Sequence, residues 1–600
     1  MKETEIQIYF EKRIKKINNT IQFIKSKLNK LSTFRLILFS LTVISLLMIY
    51  TYKLNSNYYS ISGILFLGFI ILFIIYNKKN YFLERLKSYK KVLEQELNRF
   101  HLKLDEFYDY EIKFNKYKKE FNYARDLGLL GKKGLLTYLD ISFSLQGEEN
   151  LYNSLLGNIS YSENEIKDRQ KLISELDNRK NRVLKLIRIF QEREIDLEQK
   201  AKLDFNFLEN YNSTKKLIPT WLFYKTFLFL IWFSFPILFL LNLPNFLMSG
   251  IIINTILFYV FKKKNEKLYK QIFKISSSIS PISKLSHFLI GIKYSKMNSK
   301  LSKKESKKIF NVLEKIFNKL SVQNSPLIHY LLNSLFLWDL WQLEAYQNWR
   351  TKFQDHLTEL SQTLKEIDSI LSLANFKFLN PDYEFPIISV TQKSISAIEI
   401  SHPLIPKQNR VSNPLKISKL GESLIITGSN MSGKTTYLRT IGLNFLLANI
   451  GSVVAAKKLH IPPTEILTSI KNEDSLEEGI SFFYSEVKRI GEILKISKTK
   501  TAKLILLDEL LKGTNTRERL IASQTILNEL SKTNSFIYIT THDIDLAKKT
   551  TKQRLAYFQE KVENNKMSFD YKIQDGIIKS TNALKILELE NIGLKFKIKI

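Results

Sequence analysis

Ser423–Thr427 (SLIIT) is a short apolar run of the kind a buried strand needs. It leads directly into Gly428-Ser429-Asn430-Met431-Ser432-Gly433-Lys434-Thr435-Thr436 and then into the helical YLRTIGLNFLLANI. This order of strand, glycine-bracketed loop and helix constrains the chain more than any other feature, because it requires an α/β layer with the loop at a helix N-terminus. Gly428 and Gly433 permit a loop whose backbone N–H groups surround phosphate oxygens. Lys434 is expected to reach the outer phosphates of a nucleotide, and the Thr435 hydroxyl to serve a Mg²⁺ ion.

Two later runs supply what the loop lacks. Lys503–Leu507 (KLILL) ends in Asp508-Glu509, and a carboxylate at the C-terminal end of a parallel strand is well placed as a partner for Mg²⁺. Glu509 is then expected to orient or deprotonate an attacking water. Ser535–Thr540 (SFIYIT) ends in Thr541-His542-Asp543, which places His542 within reach of a γ-phosphate or the same water. Together Lys434, Glu509 and His542 are the candidate catalytic residues of a nucleotide hydrolase, with ATP and Mg²⁺ as its expected ligands.

The N-terminal half is of another kind. Leu36–Tyr52 is free of charge for 17 residues, Leu54–Asn77 for 24 and Thr226–Phe261 for 36. The last is too long for one span of a hydrocarbon core about 30 Å thick, and Asn242-Leu243-Pro244-Asn245 supplies turn residues near its middle. Four membrane spans in two hairpins are expected. Lys12, Arg13, Lys15 and Lys16 precede the first hairpin, Lys78 and Lys79 follow it, and Lys262-Lys263-Lys264 follow the second. Positive-inside logic therefore puts both termini and the polar domains on the cytoplasmic side. Between the hairpins the chain reads as helices without an evident heptad run, and from about Phe376 as an α/β domain. The 91 Lys+Arg against 58 Asp+Glu give a formal +33, which suits an anionic partner. The absence of cysteine excludes disulfides, thiolate metal sites and a cysteine nucleophile, and seven histidines leave little for a histidine metal centre.

Taken with these motifs, LIITGSNMSGKTTYLRTIGLNFLLANIGSVVAA (424–456) resembles the nucleotide loop of the MutS family of DNA mismatch-repair ATPases, part of the ABC-type ATPase class. LILLDELLKGTNTRERLIA (504–522) and TTHDIDL (540–546) resemble the segments that follow in that family, and DSLEEGISFFYSEV (474–487) its trans-acting segment. The resemblance implies that Ser481 faces the nucleotide of a second subunit, that ISHPLI (400–405) and Asn413 line the approach to the nucleotide, and that the protein is a homodimer acting on DNA. Upstream, GKKGLLTYLDISFSLQGEENLYNSLL (131–156) and Arg169-Gln170 resemble the start of the family's helical lever region, and SILSLANFKFLNP (369–381) its return.

The implied fold is multidomain: an all-α membrane and lever region followed by an α/β P-loop ATPase domain of the MutS type. Its expected parts are a basic helix (1–35), a transmembrane hairpin (36–77), a helical region (78–216), a second hairpin (221–261), a lever region (262–375) and the ATPase domain (376–600). The chain departs from the family in having no room for the mismatch-reading N-terminal domain with its Phe-x-Glu wedge, Phe107-Tyr108-Asp109 being a poor substitute. The second hairpin stands where a DNA clamp is usual, Leu511-Lys512 replaces Gly-Arg, and Arg410 falls near the family's adenine-facing aromatic. The expected protein is a MutS-like ATPase in a bacterial-type inner membrane, held in the lipid bilayer by four transmembrane helices and coupled to DNA without autonomous mismatch recognition. An ATP-switched membrane scaffold that ignores DNA is the main alternative, and an ABC-type transporter a weaker one, since no LSGGQ-like element precedes Asp508.

Overall fold

A computed structural model of the protein describes residues 3–53, 58–105, 107, 122–187, 202–206, 226, 228–230, 233–234, 244–264, 266, 282–285, 303–324, 326–429, 432–470, 482–511, 513–543, 546, 553–563 and 566–577. Within these, an all-helical N-terminal region leads into α/β sheets in the C-terminal region. The chain divides into two compact units, one of Met1–Ile141, Leu151–Lys180 and Ser372–Ile600, the other of Ser142–Asn150 and Asn181–Leu371.

The first unit begins with α1 (Glu3–Thr51) and α2 (Tyr58–Phe100), packed along each other as a helical hairpin. No glycine or proline interrupts residues 1–51, so the expected basic helix and the first apolar stretch are one helix of 49 residues. At ~1.5 Å per residue α1 is roughly 74 Å long, more than twice the thickness of a bilayer core. Ile21, Leu28, Thr42 and Ile49 are buried at multiples of seven along it, and at the step between the charged and apolar halves the half-buried Arg35 takes this position, its guanidinium 4.5 Å from the Tyr76 ring. Arg35 and Thr42 at two of these positions hide the heptad from a hydropathy pattern. Ser45 and Ser62 close it within the apolar part by an Oγ–Oγ hydrogen bond of 2.8 Å. Elsewhere the apolar halves face outward, Leu47 and Ile64 being 57% and 68% exposed.

Of the four expected spans, two helices among the described residues are long and apolar enough to cross a membrane, Thr4–Tyr52 and Tyr58–Phe100. Most of 221–243, the first half of the expected second hairpin, lies outside the described residues. Its second half is helical from Pro244 to Lys264 and is described below with the second unit.

The charged end of the hairpin is fastened within the first unit. Arg99, in the last turn of α2, donates to the carbonyls of Thr137 (2.8 Å), Tyr138 (2.8 Å) and Asp140 (2.7 Å). Glu96 accepts from Asn375 Nδ2 at 2.7 Å and lies 3.5 Å from Arg99. Phe10 of α1 meets Phe378 edge-on at 5.8 Å, with the Lys180 ammonium 5.1 Å from the same ring. The hairpin is therefore pinned at residues 137–140 and 375–378, beside the points where the chain leaves the first unit and returns to it.

Four short helices follow, α3 (Asn122–Asp126), α4 (Leu135–Leu139), α5 (Leu145–Leu155) and α6 (Glu163–Asn178). Ser162 and Glu165 form a capping box that starts α6. The Arg169-Gln170 pair then works as a fastener: Arg169 Nε donates to Ile450 O at 2.8 Å and Gln170 Nε2 to Pro386 O at 2.9 Å.

The second unit contains α7 (Pro244–Lys264), α8 (Lys303–Leu320), α9 (Pro326–Phe336) and most of α10 (Trp338–Leu379). α7 packs on α9 through Thr255, hydrogen-bonded to Ser334 at 2.9 Å, and Phe258, whose ring lies 5.7 Å from that of His329. Asp368 is fully buried and accepts from the backbone N–H groups of Phe143 and Ser144 at 3.2 and 3.0 Å. Its burial raises its pKa to about 7 against the pull of these hydrogen bonds and of Lys202. α10 runs without a break to Leu379, past the expected lever boundary at 375.

The C-terminal region has two sheets. The smaller, in the order β1 (Ile387–Ile388), β5 (Lys458–Ile461), β2 (Ile395–Ile400), β3 (Asn413–Ile417), leads up to the larger. The larger comprises β4 (Ser423–Thr427), β6 (Glu465–Ser469), β7 (Lys503–Asp508), β8 (Ser535–Thr541), β9 (Arg554–Glu563) and β10 (Lys566–Asp575), in the order β10-β9-β4-β8-β7-β6. Its pairings are parallel except β9–β10. β4 and β8 are buried along their full length, as strands covered on both faces must be. The helices α11 (Lys434–Asn449), α12 (Phe482–Ser497) and α13 (Thr516–Ser531) complete this domain.

Arg99→Met removes the guanidinium that satisfies three carbonyls and leaves Glu96 buried without its cation. The expected loss is about 3 kcal/mol of stability, read by denaturant unfolding in detergent, with part of it recovered by adding Glu96→Gln. An unchanged midpoint for Arg99→Met would refute the pinning role.

Candidate functional site

The geometry starts from strand register. Thr427 of β4 pairs with Thr541 of β8, and Asp508 of β7 with Thr540, so the three strands end level. The next residue on each is Gly428, His542 and Glu509, and this alignment brings the three sequence motifs together.

Gly428 has φ 150°, and a Cβ there would lie 2.7 Å from Phe558 O. Gly433 caps α11 at φ 103°, where a Cβ would sit 3.0 Å from the Tyr571 ring. Both positions thus exclude a side chain, as close approach of backbone to a phosphate requires. Ser432 Oγ donates to Ser429 O at 2.8 Å and closes the loop. Asn430, Met431 and Ser481 lie outside the described residues. Thr436 is exposed in the first turn of α11.

Lys434 is buried, and its ammonium donates to Gly428 O (2.9 Å) and Ser429 O (2.7 Å) at the mouth of the loop. His542 Nε2 lies 3.5 Å from the same nitrogen and also contacts Glu509 Oε1. Thr435 Oγ1 donates to Asp508 Oδ2 at 2.7 Å, while the Thr540 hydroxyl holds the other carboxylate oxygen. A hydroxyl and a carboxylate side by side are hard oxygen donors that suit Mg²⁺, which keeps several waters and draws its remaining ligands from phosphates. Among the described residues there is no group of three or more His, Cys, Asp or Glu that could hold a metal ion by itself.

Strain marks the same place. Glu509 has φ 51° and Leu511 φ 58°, a left-handed conformation that costs a side chain about 1–2 kcal/mol. Leu511 N donates to Glu486 Oε1 at 2.7 Å, which ties this turn to α12. Arg519 and Asp543 form a two-pronged pair at 2.8 and 3.1 Å that fixes the segment after His542, and Asn515 caps α13 through Glu518 N at 2.9 Å.

Further residues stand at or around the site. Asn413 donates to Tyr571 O and accepts from Ile573 N, each at 2.9 Å, and so holds a bulge of β10 in which Tyr571 has φ 52°. Tyr571 is 43% exposed and stands against Gly433. Nothing local in the sequence marks it, because its position depends on hairpin register more than 130 residues after the loop. Arg410 turns instead to Tyr383, its guanidinium 5.4 Å from that ring. His402 is partly buried, and burial together with Arg439 and Arg410 lowers its pKa to about 4, which keeps it neutral near pH 7. Asp126 is fully buried and binds the Arg489 guanidinium, Thr468 Oγ1 (2.6 Å) and Ile470 N (3.0 Å). That cluster joins α3 to the end of β6. Burial lowers the pKa of Arg489, and Asp126 opposes the shift.

Comparison with known proteins bears on this domain. Residues 424–595 match the family model for MutS domain V. The chain is 30% identical over 249 residues to the DNA mismatch repair protein MutS of Thermotoga maritima, covering 40% of this chain and 30% of that protein. It is 33% identical over 250 residues to the MutS protein homolog 4 of Mus musculus, covering 39% of this chain and 26% of the mouse protein. The chain thus spans less than a third of the length of these curated relatives. Through its C-terminal domain, built around the loop at Gly428–Thr436, the chain is similar to the MutS family.

Proposed function

We propose that the protein is a MutS-like ATPase, anchored in a membrane by the α1–α2 hairpin, that hydrolyses ATP as a homodimer and couples the cycle to DNA. The observation that carries this reading is the meeting of Lys434, the Thr435–Asp508 pair and the Glu509–His542 pair at the level ends of β4, β7 and β8.

Each residue has a task that its chemistry permits. The loop amides and Lys434 bind the phosphates, and Lys434 exchanges its two carbonyl partners for phosphate oxygens. Thr435 and Asp508 hold Mg²⁺, which would neutralise charge on the phosphates when bound. Glu509 orients the attacking water and accepts its proton, and His542 positions Glu509 beside the transferring group. Tyr571 offers an exposed ring beside Gly433 against which the base can stack. Ser481 completes the site of the second subunit. The membrane anchor, with the ATPase on the cytoplasmic side of an inner membrane, is supported by the outward-facing apolar halves of the hairpin and by the basic residues on one side of them. Further spans in 221–261 belong to the same reading.

A membrane switch indifferent to DNA has one observation in its favour: the hairpin is pinned at 137–140 and 375–378, so a change at those segments reaches the membrane directly.

The deciding experiment measures ATPase rate in nanodiscs with and without duplex, mismatched, branched and single-stranded DNA. Glu509→Gln is expected to lower kcat by about 10²–10⁴-fold with ATP binding retained, and Lys434→Ala to abolish ATP binding. A DNA-dependent, salt-sensitive change in rate supports coupling to DNA. A Glu509-dependent rate that no DNA alters sinks that part and leaves the membrane switch. Tyr571→Ala is expected to raise KM for ATP roughly tenfold with kcat little changed, by analogy with base–aromatic stacking worth ~1–3 kcal/mol. Equal KM values for Tyr571→Ala and wild type would remove the base-stacking role.

A further inference from the structure

The α1–α2 hairpin carries its charge unevenly. Residues 12–35 and 78–93, the part next to the apolar halves, hold fourteen Lys/Arg and a single carboxylate, Glu84. The other acidic residues of the two helices, Glu3, Glu5, Glu11, Glu94 and Glu96, gather at the pinned end. The result is a net +13 over 40 residues in a chain whose total is +33 over 600. A lysine-rich composition does not produce this, because the whole chain has 58 acidic residues against 91 basic ones while this stretch has one against fourteen. Lys12, Lys15, Lys16, Lys25, Lys27 and Lys30 are all exposed on α1. The apolar seam through Ile17, Ile21, Leu28, Leu83, Val92 and Leu93 holds the two helices together against their mutual repulsion.

The length of the patch selects its partner. Lys15 lies twenty residues before Arg35, roughly 30 Å along the helix. Salt screens charges beyond about 8 Å at physiological ionic strength, so lipid headgroups at the Arg35 end leave the outer lysines without a counter-charge. A rigid rod with cations along its whole length fits an extended polyanion.

We propose that this charged stalk is a sequence-independent binding surface for the phosphate backbone of duplex DNA. It takes the identity of the partner from the function proposed above and adds the surface that holds it. The stalk makes no base contacts. Its lysines replace counterions along the duplex and hold DNA beside the membrane.

The test uses the full chain in uncharged phosphatidylcholine nanodiscs and a short fluorescent duplex, with binding followed by anisotropy from about 50 to about 200 mM salt. Replacing Lys12, Lys15, Lys16, Lys25, Lys27 and Lys30 together by Gln is expected to weaken binding at least about tenfold and to flatten the log–log salt dependence by about 3. The corresponding Lys→Arg protein is expected to bind as wild type, and both variants to keep the DNA-free ATPase rate, which shows that they are folded. If the Gln variant binds with wild-type affinity and slope while DNA still alters ATPase rate, the stalk proposal falls and the coupling to DNA stands. If wild type binds no duplex at any salt, both fall. If the Gln variant differs only in the phosphatidylglycerol that copurifies with it, the surface serves lipid headgroups and the proposal is overturned.

Discussion

The parallel register of β4, β7 and β8 is the constraint on which the candidate site depends. Side chains on adjacent parallel strands stand side by side only when the hydrogen-bond ladder aligns them, and here Thr427, Asp508 and Thr540–Thr541 end level. The polypeptide can therefore turn into three different segments at one edge: the glycine loop, the Glu509 turn and the His542 turn. β4 and β8 are buried along their full length, so this ladder lies between two covered faces. Strain at Glu509 and Leu511 is tolerated because the surrounding core holds the turn, including the buried Glu486 that receives Leu511 N.

The hairpin of α1 and α2 joins this domain to a different physical problem. Its seam runs through two environments, with Ile21 and Leu28 among charged residues and Thr42 and Ile49 among apolar ones. The seam is held by burial of apolar surface, and the Ser45–Ser62 hydrogen bond adds to it where the neighbouring side chains are apolar. The hairpin thus keeps one direction along its length. At its base Arg99 satisfies three carbonyls of residues 137–140 and Glu96 meets Asn375, so the helix pair ends on segments next to two of the four crossings between the units, those after Ile141 and before Ser372. These contacts are buried and polar, and removing one partner of such a set costs more than removing one of a surface pair.

Much of the site is legible in the order of the residues alone. Gly428, Gly433, Lys434 and Thr435 lie within one loop, and a short-range pattern suffices to place them. Asp508, Glu509 and His542 each follow an apolar run, so their location at strand ends can be read, but not that the strands are neighbours. Thr540, which holds the second oxygen of Asp508, reads as an ordinary strand residue. Tyr571 and the Asp126–Arg489 cluster leave no local trace, since each depends on pairing across more than a hundred residues. The apolar stretches are evident by length, whereas the continuity of the charged and apolar halves of α1 is not. Hydropathy divides what the backbone joins, and the heptad positions carry Arg35 and Thr42 where purely apolar residues would reveal the seam.

By itself the sequence determined the local chemistry: a glycine-bracketed loop between strand and helix, acidic and histidine residues at strand ends, apolar helices flanked by lysine, and no thiols. These follow from residue type and short-range period, which steric and solvation rules translate directly into local structure. Tertiary structure decided which of those pieces meet. It set Glu509 against His542 and Thr435 against Asp508, placed Tyr571 beside Gly433, and pinned the long hairpin at 137–140 and 375–378. The physical reason is that strand order and helix docking depend on burying surface between segments far apart in the chain, and no local pattern encodes that choice of partner.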